Sequence, residues 1–143
     1  VGAWSPKPEQ VATGQFLDQK ADWNEYLDNF KEKIQKSLDT LYQGFIQLKS
    51  DGFAVNAIQP MGAIYLTIQI DYLGKTTPAG QLLNTSADLV FYLINEAGVG
   101  LVPFSAFSAE PGMNWFRASV GGCSLEDIEE MLPRLRDALT KLI

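Results

Sequence analysis

Apolar residues recur along the first third of the chain at steps of three and four. Trp23, Leu27, Phe30, Ile34, Leu38, Leu41, Phe45 and Leu48 follow one another at spacings of 4, 3, 4, 4, 3, 4 and 3. Such spacing keeps side chains on one face of an α-helix. Asp22, with Glu25 three residues later, supplies a capping-box start. Asp51-Gly52 supplies an end, because glycine suits the left-handed residue beyond a helix C-terminus. The spacing predicts a helix over 23–50, roughly 40 Å long at about 1.5 Å per residue. That is far above the mean of about 11–12 residues, and a helix of this kind lines a domain's length or bridges two domains. A shorter helix precedes it, opened by Ser5 and Pro6 and running to about Leu17, with Gly14 as its weak point.

The period then changes. Residues 53–58 form a short strand candidate, and 62–71 a stronger one. In the latter, Ile64, Leu66, Ile68 and Ile70 alternate with Tyr65, Thr67 and Gln69. Gly74, Pro78 and Gly80 mark 72–84 as a loop. Thr85 and Asp88 open a third helix with Leu89, Val90, Leu93, Ile94 and Ala97 on its buried side, and Gly98 closes it. A short strand is expected over 99–102, then a loop over 103–114 containing Pro103, Pro111 and Gly112. The last strand covers 115–120, with Phe116, Ala118 and Val120 on one face and Trp115, Arg117 and Ser119 on the other. Ser124 and Asp127 cap a final helix whose apolar residues, Leu125, Ile128, Leu132, Leu135, Leu139 and Leu142, step by 3, 4, 3, 4 and 3. Pro133 inside it removes one backbone bond and should kink it. The order α-α-β-β-α-β-β-α predicts an α+β fold of two layers: helices packed on one face of a small, mostly antiparallel sheet, with a long N-terminal helix.

Composition narrows the chemistry. The chain has 143 residues, no histidine and one cysteine, Cys123. A Ser-His-Asp triad, a Cys-His dyad, a histidine-bearing zinc site and an internal disulfide framework are thereby excluded within it. With 11 Lys+Arg against 17 Asp+Glu, the net charge is −6 and the basic residues are scattered, so nucleic acid is not an expected partner. Apolar stretches fall far short of the ~20 residues of a membrane span, and no signal peptide is seen. The expectation is a cytoplasmic protein with no membrane partner. Val1 stands where a start methionine would, and the first methionine is Met61; the chain therefore reads as a piece of something larger.

Few residues carry candidate chemistry. Arg117, in mid-strand, could bind a carboxylate through two parallel hydrogen bonds. The competing reading is an exposed sheet-face arginine paired with a local acid. Cys123 lies between Gly121-Gly122 and a helix start; without histidine it reads as a partly buried small residue. Glu126, Asp127, Glu129 and Glu130 complement the dipole of the last helix and do not suit a metal site. Trp23, Tyr26, Phe30, Tyr42 and Phe45 read as a core or interface stripe. Trp4 reads as a terminal aromatic without a partner of its own.

Four short motifs occur in a familiar order. Pro60-Met61-Gly62-Ala63-Ile64-Tyr65 resembles the P-x-G-[AG]-[FM]-[FY] strand of pyridoxal-phosphate-dependent aminotransferases of fold type I, class I/II. Leu93-Ile94-Asn95-Glu96-Ala97-Gly98-Val99 resembles their LL-x-E-x-GV, and Val102-Pro103-Phe104-Ser105-Ala106-Phe107-Ser108 their VPGSxFG. Phe116-Arg117-Ala118-Ser119 resembles [LF]R[LIA]S, followed by a closing helix with Arg134-Leu135 in place. Gly2-Ala3-Trp4-Ser5-Pro6 resembles the stretch soon after the cofactor lysine. Two positions depart from the pattern: Phe104 and Ser108 stand where the family carries glycine, which leaves the 103–112 loop geometry open.

The resemblance implies that residues 1–20 are the tail of a large cofactor domain, 21–51 an interdomain helix and 52–143 the small domain. It implies that Arg117 binds the substrate α-carboxylate. The full enzyme would be a homodimer moving an amino group between an amino acid and a 2-oxo acid through pyridoxal 5'-phosphate. The Schiff-base lysine would lie in a large domain preceding Val1, so the chain alone would be inactive and would not hold the cofactor. The alternatives are a free-standing α+β small-carboxylate-binding or regulatory module, and a pyridoxal-phosphate-dependent lyase of the same fold type.

Overall fold

The computed structural model describes residues 6–110 and 112–143. Expectations resting on Trp4, Ser5 and Pro111, and on the Asp22 side chain, lie outside the described residues. The chain divides into two compact units between Lys33 and Ile34.

The first unit is helical. Helix α1 (Lys7–Asp18) starts at Pro6 with no side-chain cap, and none of its residues is buried. Its end is a single residue, Gln19, whose N–H donates to the Phe16 carbonyl at 3.0 Å. Helix α2 (Lys20–Ser50) begins at once, two residues ahead of the expected capping box at Asp22. In this unit the predicted stripe is only partly covered: Trp23 and Leu27 are half-buried, and Phe30 is exposed and stacks on Tyr26, ring centroids 6.2 Å apart.

In the second unit the same stripe enters the core. Leu38, Leu41, Phe45 and Leu48 are all buried. The helix ends where Gly52 takes φ +93° and the Gly52 and Phe53 N–H groups donate to the carbonyls of Lys49 and Leu48. Four strands follow: β1 (Val55–Ala57), β2 (Tyr65–Ile70), β3 (Val102–Pro103) and β4 (Trp115–Ser119). They form one antiparallel sheet in the order β1-β2-β4-β3. Helix α3 (Ser86–Ala97) separates β2 from β3, and α4 (Leu125–Thr140) follows β4. Two of the three expected capping boxes are seen, with Thr85 and Ser124 as caps and Asp88 and Asp127 as reciprocal acceptors. Helix α4 continues through Pro133. Leu66, Ile68, Ile70, Phe116 and Ala118 turn one sheet face into the core, which α2, α3 and α4 complete with Phe45, Leu93 and Leu135 among others. The fold is α+β, in the element order read from the sequence.

One strand is displaced from its expected place. Residues 99–102 read as apolar strand, yet β3 covers only Val102–Pro103. The Gly98 and Val99 N–H groups donate to the carbonyls of Ile94 and Leu93, so this backbone closes α3 instead of entering the ladder. The side chains of Val99 and Leu101 still enter the core. Proline at 103 has no N–H to extend pairing at this sheet edge.

Candidate functional site

The uncovered face of the sheet carries the residues that alternate with the core. Tyr65, Thr67 and Gln69 on β2 and Trp115 and Arg117 on β4 are half-buried or exposed. Arg117 sits between two ladder partners, Thr67 on β2 and Val102 on β3. Tyr65 pairs with Ser119 and is therefore the diagonal neighbour of Arg117, within reach of a long side chain. The guanidinium carbon lies 4.3 Å from the Tyr65 ring centroid.

A second ring covers the guanidinium at 4.5 Å, that of Phe107. It comes from the 103–112 loop, whose first residues are not irregular. Pro103 leads into a four-residue 3-10 turn, Phe104–Phe107, closed by Ser108 at φ +63°, ψ +21°. The Ser108 and Ala109 N–H groups donate to the carbonyls of Ser105 and Phe104, both at 3.3 Å. Pairing of Val102 and Pro103 with Arg117 and Phe116 delivers the turn beside the arginine. Of the two departures from the family pattern, Ser108 occupies a left-handed position where glycine has no Cβ penalty. Phe104 has no such backbone constraint; its ring meets that of Phe107 edge-on, centroids 6.4 Å apart and planes at 64°.

Among the described residues no carboxylate pairs with Arg117, unlike the other two arginines. Arg134 pairs with Glu130 at 3.7 Å and donates to the Ala97 carbonyl at 3.1 Å. Arg136 pairs with Asp51 and lies over the Phe53 ring. Arg117 instead lies against two aromatic rings, those of Tyr65 and Phe107. The in-plane N–H edge, five donors in fixed geometry, can still be spent on an anion.

The remaining sequence candidates have structural partners. Cys123 is half-buried, its Sγ 3.9 Å from the Ser119 carbonyl oxygen. Burial first, and then the Asp127 charge, push its thiol pKa up, the opposite of an activated cysteine. It lines a cavity of about 370 Å³ with Leu41, Phe45, Gly100 and Met131, and Arg117 is not part of that lining. Asp127 is held below the ordinary carboxylate range by the Ser124 backbone N–H and hydroxyl. Among the described residues no three His, Cys, Asp or Glu side chains cluster as metal ligands. Nor is any helix there long and apolar enough to cross a membrane.

Pyridoxal phosphate asks for a lysine amine to carry it and a charged partner for its ring nitrogen. Neither β2, β4 nor the 104–107 turn carries a lysine, and no carboxylate lies within ion-pairing distance of Arg117 among the described residues. The Arg117 face on its own does not fit the cofactor. What it can do is fix and orient a planar carboxylate.

The family model for aminotransferases of class I and II matches residues 2–135. The aspartate aminotransferase of Rhizobium meliloti is 32% identical over 119 residues, covering 82% of this chain and 27% of its own length. A crystal structure of the Rhizobium meliloti aspartate aminotransferase superposes with a TM-score of 0.69 at 30% identity, covering 82% of this chain and 28% of that one. A PLP-bound putative aminotransferase from Clostridium difficile shares the fold at 19% identity and a TM-score of 0.61, covering 80% of this chain and 26% of that one. The chain spans between 19% and 29% of the length of the curated relatives it matches.

Proposed function

Because the chain belongs to the class I and II aminotransferase family, we propose that it is the C-terminal small domain of a pyridoxal-phosphate-dependent aminotransferase. In this reading Arg117 anchors the α-carboxylate of the amino acid and the 2-oxo acid between which the whole enzyme moves an amino group. Residues 1–20 are then the tail of a large cofactor domain and 21–51 the interdomain helix. The same reading carries a cytoplasmic homodimer. The observation that supports it most is the condition of Arg117: a guanidinium packed against two aromatic rings, without an acidic partner among the described residues.

Arginine stays protonated at any physiological pH, so Arg117 takes no part in proton transfer. Its contribution is geometric. Two parallel N–H···O bonds to a carboxylate fix both the distance and the plane of the substrate. A substrate so held presents its Cα in one orientation, which converts an encounter into a positioned reaction. When bound in the whole enzyme, pyridoxal phosphate supplies the electron sink that the amino-group transfer needs. Nothing on the Arg117 face substitutes for it.

Two measurements test the reading. Pyruvate titrated into the ¹⁵N-labelled chain is expected to shift the Arg117 Nε–Hε signal, and Arg117→Gln to abolish the saturable response. Unchanged pyruvate binding by Arg117→Gln overturns the assignment. Supplied with pyridoxal phosphate, an amino acid and a 2-oxo acid, the chain alone is expected to transfer no amino groups; measurable turnover would show that it carries its own cofactor machinery.

A further inference from the structure

The Phe107 ring that covers Arg117 is poorly held by ordinary packing. Half of its surface is exposed, 50%, and it stands at the end of a turn only four residues long. Burial alone gives such a ring a weak hold on one rotamer. Two further features restrain it. Proline at 103 fixes the backbone leading into the turn, and Ser108 closes the turn behind it. Between these ends, the half-buried Phe104 ring meets Phe107 edge-on, an arrangement aromatic quadrupoles favour.

The contacts thus form one series. Phe104 meets Phe107 edge-on; Phe107 and Tyr65 both lie against the guanidinium; and its N–H groups are left as its hydrogen-bonding surface. Resting on the proposed role of Arg117 as carboxylate anchor, we propose that Phe104 is a positioning residue for that arginine, acting through Phe107. Phe104 touches neither substrate nor guanidinium in this arrangement. It acts by narrowing the orientations Arg117 adopts before a carboxylate arrives, so that less side-chain freedom is lost on binding. Phenylalanine at 104 is also a departure from the glycine of the family pattern, which makes the brace a property of this chain's own sequence.

The test uses the Nε–Hε signal of Arg117, assigned by its loss in Arg117→Lys, and acetate as the probe. Acetate is expected to move that signal saturably in the parent chain. Phe104→Ala is expected to shift the signal toward that of a solvent-exposed arginine and to lower its order parameter before any ligand is added. It is also expected to weaken acetate binding about three- to tenfold, the scale of a lost cation–π and ordering contribution. Phe104→Tyr restores ring, signal and affinity together, which a general loss of stability would not do. If Phe104→Ala leaves signal, order parameter and affinity unchanged, the positioning role is overturned while the anchor reading stands. If acetate binding is unaffected by Arg117→Lys, the anchor reading itself fails. The order-parameter comparison needs no ligand and still decides whether Phe104 restrains the arginine.

Discussion

Three aspartates have their pKa values lowered by hydrogen-bonding neighbours. The Thr85 hydroxyl, with the Thr85 backbone N–H, lowers the pKa of Asp88; the Ser124 backbone N–H and hydroxyl lower that of Asp127; and the Arg136 guanidinium, helped by Gln47, lowers that of Asp51. A carboxylate whose pKa is depressed in the fold adds stability above its unfolded pKa, about 4. That stability disappears as pH falls through the depressed folded value. The melting temperature is therefore expected to change little between pH 7 and pH 5 on account of these groups and to fall below about pH 4. Asp127→Asn should make the acid-side loss shallower. An unchanged acid limb in that variant would show that the α4 cap does not couple to folding. These caps were readable from sequence because Thr85 to Asp88 and Ser124 to Asp127 are local, three residues apart. Arg117 and Tyr65 were likewise assigned to their sheet faces by alternation. Their contact required the β2–β4 register, and although Phe107 falls in the motif-like 102–108 segment, its place over Arg117 was not legible, since its turn follows no hydrophobic period.

The elements with regular patterns stand where their periods put them, and the exceptions have backbone causes. Helix α4 has its apolar stripe and its capping box, and the core receives Ile128, Leu135 and Leu139. The four apolar residues of 99–102 look like a strand, but the backbone at Val99 is occupied in closing α3. Side-chain pattern does not reveal where a backbone N–H is used. Another feature hidden from pattern is the close approach of α2 and α4. A Cβ built at Gly44 would lie 2.4 Å and 2.5 Å from the two Leu132 methyl carbons and 3.0 Å from Leu132 Cγ. Glycine there weakens the helix by about 1 kcal/mol relative to alanine, and in return the Leu132 side chain packs directly against the α2 backbone. Gly44→Leu cannot be seated without moving Leu132. The expected loss is about 1–3 kcal/mol, the cost of overpacking, read as a lower midpoint in urea unfolding followed by circular dichroism. A variant as stable as the parent would mean that α2 and α4 do not pack as tightly as described.

At the scale of the whole chain, the two units differ in what holds them. The unit from Ile34 onward contains the buried cluster, including Phe45, Phe116, Leu93 and Leu135. The unit up to Lys33 contains α1, which buries nothing, and the part of α2 where Phe30 and Tyr26 are exposed. Val11, Phe16 and Leu17 are each more than half exposed, at 51%, 51% and 54%. Helices shorter than about 12–15 residues are marginal in water unless tertiary packing supports them, and α1 has 12 residues. Its amides are therefore expected to open locally, at a free energy far below that of the sheet and of α4. Native-state hydrogen exchange should show residues 7–18 exchanging fastest and the amides of β2, β4 and α4 slowest. The buried cluster lies within residues 34–143, so the melting temperature of that segment after deletion of 1–33 is expected to stay within a few degrees of the parent. A fall of more than about 8 °C, the shift that roughly 1–2 kcal/mol produces in a domain of this size, would show that the first unit contributes to the stability of the second. The pyruvate response of Arg117 should survive the same deletion, because Tyr65, Phe104, Phe107 and Arg117 all lie in the second unit.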